Sequence, residues 1–456
     1  MSPAPIRQEA GTLTVQGVAI PLLDDEALYD VTAEDGVFTA FTPAGRRTGS
    51  EPELWPGYTE THAHVSLPAN WDDSVDDPRI VALQYLYHGV THVVDMFGFP
   101  LVDDAWRAGA EASPWPYPEV VHCGYAVTAM TDAAGRNGHG VEFPAPVHML
   151  AVEADLEHAL RSNAERGGTF LKVMFTDGTE QPGSPVRFSR FSERVLRFTA
   201  RIAAERGVTA VVDCNTLEET RFAYECGFRL FAHTVRDRTL GDADWKGLEG
   251  ARFVSTLAGL RSMIMTREEF LAEYGREGFL DTQDPHNLEF VHTVEQPFGI
   301  EYGCQETRTA ALADMRRNAL AALRRGELLI GTDSGNLGAY HGYSFLSELA
   351  LLAGDDAGLA GNGEGLTGNG AGLTEELRRQ ATLTGRRHFD ELSGVRAPRP
   401  PLRTGAAATF NLHTPGGPLS ALPLATVVHG VPIDRAAVAR AISELRSTSS
   451  KGKVSL

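Results

Sequence analysis

Two histidines two residues apart, His62 and His64, close the segment GYTETHAH at positions 57–64. Side chains at i and i+2 of a strand project from the same side, so the pair can hold one metal ion, and imidazole suits Zn, Fe, Mn or Ni. The alternative for the pair by itself is a strand end carrying two surface histidines. Three further polar residues stand where a buried parallel strand should be apolar: Lys172 inside FLKVMF, His233 after LFA and Asp333 after LLIGT. Burying an unpaired ammonium costs several kcal/mol or strips its charge, so Lys172 demands an ion pair or a covalent modification. Alone, Asp333 reads equally as the cap of a following helix, and His233 as a structural histidine. Their joint placement at the ends of separate strands is what gives them weight.

The elements that must position these residues follow from the texture of the chain. From Trp55 onward, β-type runs alternate with Ala-, Glu- and Arg-rich helical stretches. Eight strands are predicted over 58–62, 91–96, 120–124, 170–175, 210–214, 230–233, 252–256 and 328–332. Helices are predicted over 192–206, 217–226 and 305–325. Eight βα repeats favour a (β/α)8 TIM-like barrel, whose chemistry sits at the C-terminal ends of its strands, where His62, His64, Lys172, His233 and Asp333 fall. Residues 1–56 hold short apolar runs (12–20, 27–31, 37–41) broken by Gly and Asp, which reads as hairpins. β texture returns at 408–412 and 425–431. The expected division is a small β-sandwich domain from 1–56 and 403–440, a barrel over 57–402, and a tail over 441–456. Within the barrel, the repeated Gly-Asn-Gly run at 358–374 reads as a flexible surface insertion.

At these positions the chain resembles the amidohydrolase superfamily, specifically its carboxylated-lysine members such as the prolidase and imidazolonepropionase-like enzymes. WPGYTETHAHV is similar to the strand-one PG-x-x-D-x-H-x-H motif, and LKVMFTDG to the strand-four lysine motif. GFRLFAHT and IGTDSG resemble the strand-six histidine and strand-eight aspartate motifs. TEELRRQATLTGRRHF is similar to the helix after the barrel, and LRTGAAATFNL to the return into the flanking β domain. The resemblance implies that His62 and His64 bind a first metal, that a CO2-derived carbamate on Lys172 bridges to a second, and that His233 ligates that second ion. Asp333 would ligate the first metal and shuttle a proton. Zn, Mn or Fe, as one or two ions, would serve. The implied reaction is hydrolysis of an amide, cyclic amide or amidine C–N bond in a small molecule by a metal-activated water. Deamination or decarboxylation on the same centre, or a degenerate ligand-binding barrel, are the alternatives.

One position departs from the pattern: where the family carries a strand-five histidine, AVVDCNTLEETRFAYECG offers Asp213, followed by Cys214 and Asn215. Either Asp213 ligates the second metal through oxygen, or it pairs with an unmodified Lys172 so that a salt bridge replaces that ion. A register shift would bring Cys214 or Asn215 there instead. The loop containing Gly135 to Gly140 is similar to the glycine and histidine loop of prolidase-like members, and His139 there can polarise a substrate carbonyl. Arg136, Arg261 and His341, next to Tyr340, lie on loops over the same barrel face and can bind an acidic substrate group. His88, His92 and His122 read as structural.

Composition excludes several classes. Lys and Arg number 41 against 60 Asp and Glu, a formal charge of −19, which repels nucleic acid and anionic membranes. Hydrophobic residues at 42% and charged at 22% are ordinary globular usage. Cys123, Cys214, Cys226 and Cys304 are scattered and form no CxxC pair, which fits a reducing compartment. No basic segment followed by an apolar run opens the chain, and no stretch approaches the ~18 apolar residues of a membrane helix, so a cytoplasmic location is expected. Members of the resembled family are commonly oligomeric, which implies a homo-oligomer.

Overall fold

The computed structural model describes residues 6–9, 11–67, 76–98, 100–131, 138, 147–176, 188–284, 305–336, 338–354, 370–395, 398 and 400–449. Arg136, His139, Cys304 and most of the Gly-rich run lie outside them.

Strands from both ends of the chain share one eight-stranded sheet. From the N-terminal side come β1 (Ile6–Glu9), β2 (Thr12–Ile20), β3 (Asp24–Glu34), β4 (Val37–Arg46) and β5 (Glu53–Pro56). Its parallel β2–β5 contact, Ala19 against Glu53, brings β5 between β2 and the C-terminal strands. Leu13, Val15, Val31, Phe38, Leu54, Phe410, Leu412 and Val427 form its core. The predicted hairpins are present; β1 and β5 add to them, being too short and too polar at one face to announce themselves.

The remaining strands are parallel. In chain order they are β6 (Tyr58–Ala63), β7 (Val90–Asp95), β8 (Glu119–His122), β9 (Ala126–Ala129), β10 (Val147–Leu150), β11 (Leu171–Met174), β12 (Ala210–Asp213), β13 (Leu230–Phe231), β14 (Arg252–Val254) and β15 (Leu328–Leu329). The first three form one sheet, and the other seven run β10-β9-β11-β12-β13-β14-β15. Backbone hydrogen bonds connect the two sets on both sides: Thr61 N donates to Ile330 O at 3.2 Å and Asp333 N to His62 O at 2.8 Å, while Thr169 N donates to His122 O at 2.9 Å. All eight predicted strands are present; β9 and β10 are additional. Back in the first sheet, the C-terminal strands are β16 (Phe410–His413), β17 (Ala425–Val428) and β18 (Val431–Pro432).

The inward-facing cluster includes Val94, Met96, Phe170, Val211, Leu230, Val254 and Leu329, with Phe389 and Leu392 of the helix Gly385–Leu392 packed against it. Phe389 meets His92 on β7, ring centroids 5.1 Å apart, and Arg252 at the start of β14 pairs with Glu391 at 2.9 Å. This helix therefore covers the N-terminal ends of the strands and leaves the C-terminal ends for the polar residues. Helix Glu193–Glu205 is capped by Ser192, and helix Leu217–Glu225 by a Thr216/Glu219 capping box, which fixes where each helix leaves its strand.

Two expectations change at the C-terminal side. Residues 370–374, expected in the flexible insertion, open the helix Gly370–Arg379. Residues 441–449, expected as a tail, are the second half of helix Arg435–Ser449. Its Val438 and Ile442, four apart on one face, are buried in a cluster with Ile80, Leu83 and Tyr87 of helix Pro78–Tyr87.

Candidate metal centre

His62 lies on β6, and His64 follows directly after it; both are buried, at 0% and 4% exposure. The Nδ1 of His62 is 2.9 Å from the carbonyl oxygen of Ala232. A carbonyl only accepts, so Nδ1 carries the proton and Nε2 presents a lone pair. Burial, aided by the charge of Lys172, holds this imidazole at about 4, so it is neutral at neutral pH. His62 Nε2 makes no hydrogen bond of acceptable geometry, yet it stands 3.2 Å from Asp333 Oδ1. His64 Nε2 is 3.0 Å from the same oxygen, and His64 Nδ1 is buried without a partner.

Asp333 follows β15 in a left-handed conformation, φ 62°, a strained state that non-glycine residues adopt rarely and that clusters at functional sites. Burial acts to raise its carboxyl, but the neighbouring imidazoles, His62 foremost with His64 and His233, outweigh it and hold the group well below the usual carboxylate range. An ionised oxygen thus faces a bare imidazole lone pair at 3.2 Å. Two acceptors at that distance call for a cation between them. Among the described residues, His62, His64 and Asp333 are the group whose ligand atoms all lie within 4.8 Å of one another. Two imidazoles and one carboxylate are a donor set that fits a divalent transition ion.

His233 sits beside this trio, its ring centroid 4.9 Å from that of His62. Its Nδ1 is 2.8 Å from the Thr256 hydroxyl, which turns Nε2 toward Asp213 Oδ1 at 3.4 Å. Burial dominates here too and places His233 at about 3, against the opposing charge of Asp213. Lys172 is 1% exposed on β11. Met174 pairs with Asp213 in the sheet, so Lys172, two residues earlier, shares a sheet face with Asp213, and its charge acts on His62 and His233.

The other predicted site residues are placed differently. His341 is buried with Nε2 3.1 Å from the carbonyl oxygen of His64, holding the backbone behind that histidine. Arg261 pairs with Glu269 at 3.2 Å and lines a small cavity with Phe270, Phe279 and Tyr340. Cys214 lies in the apolar core, its thiol pushed well up by burial. The backbone N–H of Asn215 donates to the Glu219 carboxylate at 2.9 Å.

Two buried carboxylates escaped the sequence reading. Glu60 accepts from His62 N at 2.9 Å, Thr332 N at 3.0 Å and Thr332 Oγ1 at 2.6 Å, tying β6 to the turn that carries Asp333. Burial raises it to about 8. Like Lys172, Glu60 is a charged residue on a buried strand, though within a polar run. Glu348 is the charged residue of the otherwise uncharged run YSFLSELALLA, helix Tyr343–Ala353, and is fully buried. Glycines then allow the backbones to close on the site: a Cβ on Gly335, φ 99°, would fall 2.0 Å from His64 O.

Comparison with known proteins bears on this geometry. The chain matches no family model and no curated protein. Among solved structures, it is similar to bottromycin amidohydrolase, with a TM-score of 0.63 at 19% identity over 97% of this chain and 91% of that one. A Xaa-Pro dipeptidase with bound methionine aligns with a TM-score of 0.60 at 12% identity, covering 89% of this chain and 95% of the other. Ochratoxinase from A. niger gives 0.57 at 16% identity, with 88% and 90% covered. These neighbours are amidohydrolase-family proteins, and the strand motifs had pointed to the same place. The fold of this chain is the amidohydrolase fold.

Proposed function

We propose that this chain is a metal-dependent amidohydrolase that cleaves a C–N bond of a small molecule, on a closed (β/α)8 barrel flanked by the β domain built from both chain ends. The observation that carries the reading is the convergence of His62 Nε2 and His64 Nε2 on one oxygen of Asp333. Neighbours named as an amidohydrolase, a Xaa-Pro dipeptidase and molinate hydrolase support the reaction class.

His62, His64 and Asp333 would hold a divalent ion, with His233 and Asp213 beside it. Such an ion supplies Lewis acidity to a scissile carbonyl and lowers the pKa of a water. The residues do the rest. The Ala232 carbonyl keeps His62 in the tautomer whose Nε2 is free to ligate. Asp333, held ionised by its histidine neighbours, is placed to accept a proton at Oδ1 or Oδ2 and return it to a leaving nitrogen. His233 and Asp213 form a second polar pair on the same side, and Lys172, on the sheet face of Asp213 and felt by His233, would serve there as an ammonium or as a carbamate.

The test is metal content per chain on protein purified without chelator, native intact mass for a CO2 adduct on Lys172, and a screen of N-acyl amino acids, Xaa-Pro dipeptides and cyclic imides. Bound Zn, Mn or Fe together with chelator-sensitive amine release supports the proposal. A metal-free chain that turns over none of these overturns it, and release of free ammonia or CO2 would reassign the centre to deamination or decarboxylation.

A further inference from the structure

Glu348 sits among apolar residues on helix Tyr343–Ala353 with no exposed surface. An ionisable group in such a place requires compensation, and both its oxygens have it. One accepts from Leu257 N at 3.1 Å and the other from Ala258 N at 2.6 Å. These are the first two amides of helix Leu257–Ser262, which no carbonyl within that helix can reach. Thr256, the residue before them, is left-handed at φ 49° and its side chain does not cap the helix. The cap comes instead from a carboxylate on a different helix, more than ninety residues away for Leu257.

The turn that Glu348 holds meets the site at two points. Thr256 places its hydroxyl 2.8 Å from His233 Nδ1, while its amide donates to Gly331 O at 2.9 Å. Gly259, one turn on, lies flush against the strained aspartate: a Cβ there would come within 2.9 Å of Asp333 Cβ and 3.1 Å of Thr332 O. We infer that Glu348 is a positioning residue of the site, anchoring the turn 256–259 and, through Thr256 and Gly259, setting the ring of His233 and the carboxylate of Asp333. The inference rests on the proposed metal site only for what the positioning serves; the positioning itself is a matter of structure.

The experiment compares crystal structures of the wild type, Glu348→Gln and Glu348→Ala, together with a titration of each with Co2+ followed by visible absorption. Glutamine keeps the shape but replaces one accepting oxygen with a donor, so one of the two amides loses its partner; alanine removes both acceptors. The expected result for Glu348→Gln is a lengthened His233–Thr256 contact or a displaced Asp333, with Co2+ bound about tenfold more weakly, as is usual when a group behind a metal ligand is lost. A folded Glu348→Gln protein that keeps both contacts and binds Co2+ within twofold of the wild type overturns the inference. Should the alanine variant fail to fold, the glutamine variant decides. Should the wild type take up no Co2+, the metal reading of the site fails by itself, and the His233–Thr256 distance in the two crystals still decides the positioning.

Discussion

His64 Nε2 stands 3.0 Å from Asp333 Oδ1 although 269 residues separate the two in the chain. The contact spans the junction between β6 and the segment after β15, which gives Asp333 a structural and a chemical part to play. Asp333→Asn separates them. Asparagine tolerates the left-handed conformation that Asp333 adopts, so the turn and the fold should persist. The charge that draws a cation is lost, and with it the proton acceptor. Metal per chain should fall by about an order of magnitude, and turnover of any amide the wild type cleaves by about 10²- to 10⁴-fold. Full metal content and activity in the Asp333→Asn variant would place the ligand elsewhere.

Glu60 is a second tie across the same junction, from β6 to Thr332. Glu60→Ala leaves His62 N, Thr332 N and Thr332 Oγ1 without their buried acceptor. At about 1–3 kcal/mol for each orphaned donor, the loss should be on the order of 3 kcal/mol or more in urea unfolding. Glu60→Gln should cost clearly less: burial raises Glu60 to about 8, so the native side chain is already uncharged at neutral pH. Equal losses in the two variants would show that the hydrogen bonds are not what Glu60 contributes.

The proposed site residues were legible where they broke a local rule. Lys172, His233 and Asp333 were conspicuous as polar groups on apolar strands, and the structure brings Asp333 onto His62 and His64 with His233 alongside. Glu60 broke the same rule two residues before His62, but the polar run TETHAH around it hides one more charge among residues that already read as metal ligands. Glu348 and Thr256 gave less to read. Their importance lies in a contact between the turn after β14 and a distant helix, which no spacing within either segment encodes. Most of the eight predicted strands were clear from their short, mainly apolar runs, such as FLKVMF and LLIG. β9 and β10 were not, since AVTA and VHML are only four residues each and are interrupted by Thr128 and His148. The helical end of the chain was hidden by its Ser- and Arg-rich surface, with Val438 and Ile442 buried and Ala439, Ala441 and Leu445 partly so.

Gly331 is where packing leaves no space behind His62. An added Cβ would lie 2.6 Å from Val254 Cγ1 and 2.7 Å from both the Cβ and the amide nitrogen of His62. Those neighbours belong to strand backbone and a locked core, so they cannot yield cheaply. Gly331→Ala should cost about 1–3 kcal/mol in stability, as overpacking does, and should lower metal uptake by pushing β6 away from the turn that carries Asp333. Paired thermal melts and metal analysis check it. A stable variant with reduced metal shows displacement of His62, whereas unchanged values for both would mean that the turn moves freely.

The response to acid can be worked out from His88, which is remote from the proposed ligands. It is fully buried at the end of helix Pro78–Tyr87, with Nδ1 2.8 Å from Gln84 O and Nε2 without a partner. Burial, foremost, holds it at about 4, with the Arg435 charge adding to that and the Gln84 carbonyl opposing it. An unfolded histidine titrates near 6.5. Between those values the unfolded chain binds a proton that the folded chain refuses, so the stability this depressed group carries is present above pH 6.5 and lost as pH falls toward 4. The loss from this one residue is on the order of 3 kcal/mol. His88→Asn removes the titration: whatever its cost at pH 7, its stability should decline less steeply from pH 6.5 to 4, by up to one proton in the slope. Urea unfolding of both proteins at half-unit pH steps measures this. Parallel slopes would mean that His88 is protonated in the folded protein as readily as in the unfolded one, and that the acid sensitivity arises at other buried histidines such as His413, which burial also holds well below its ordinary value.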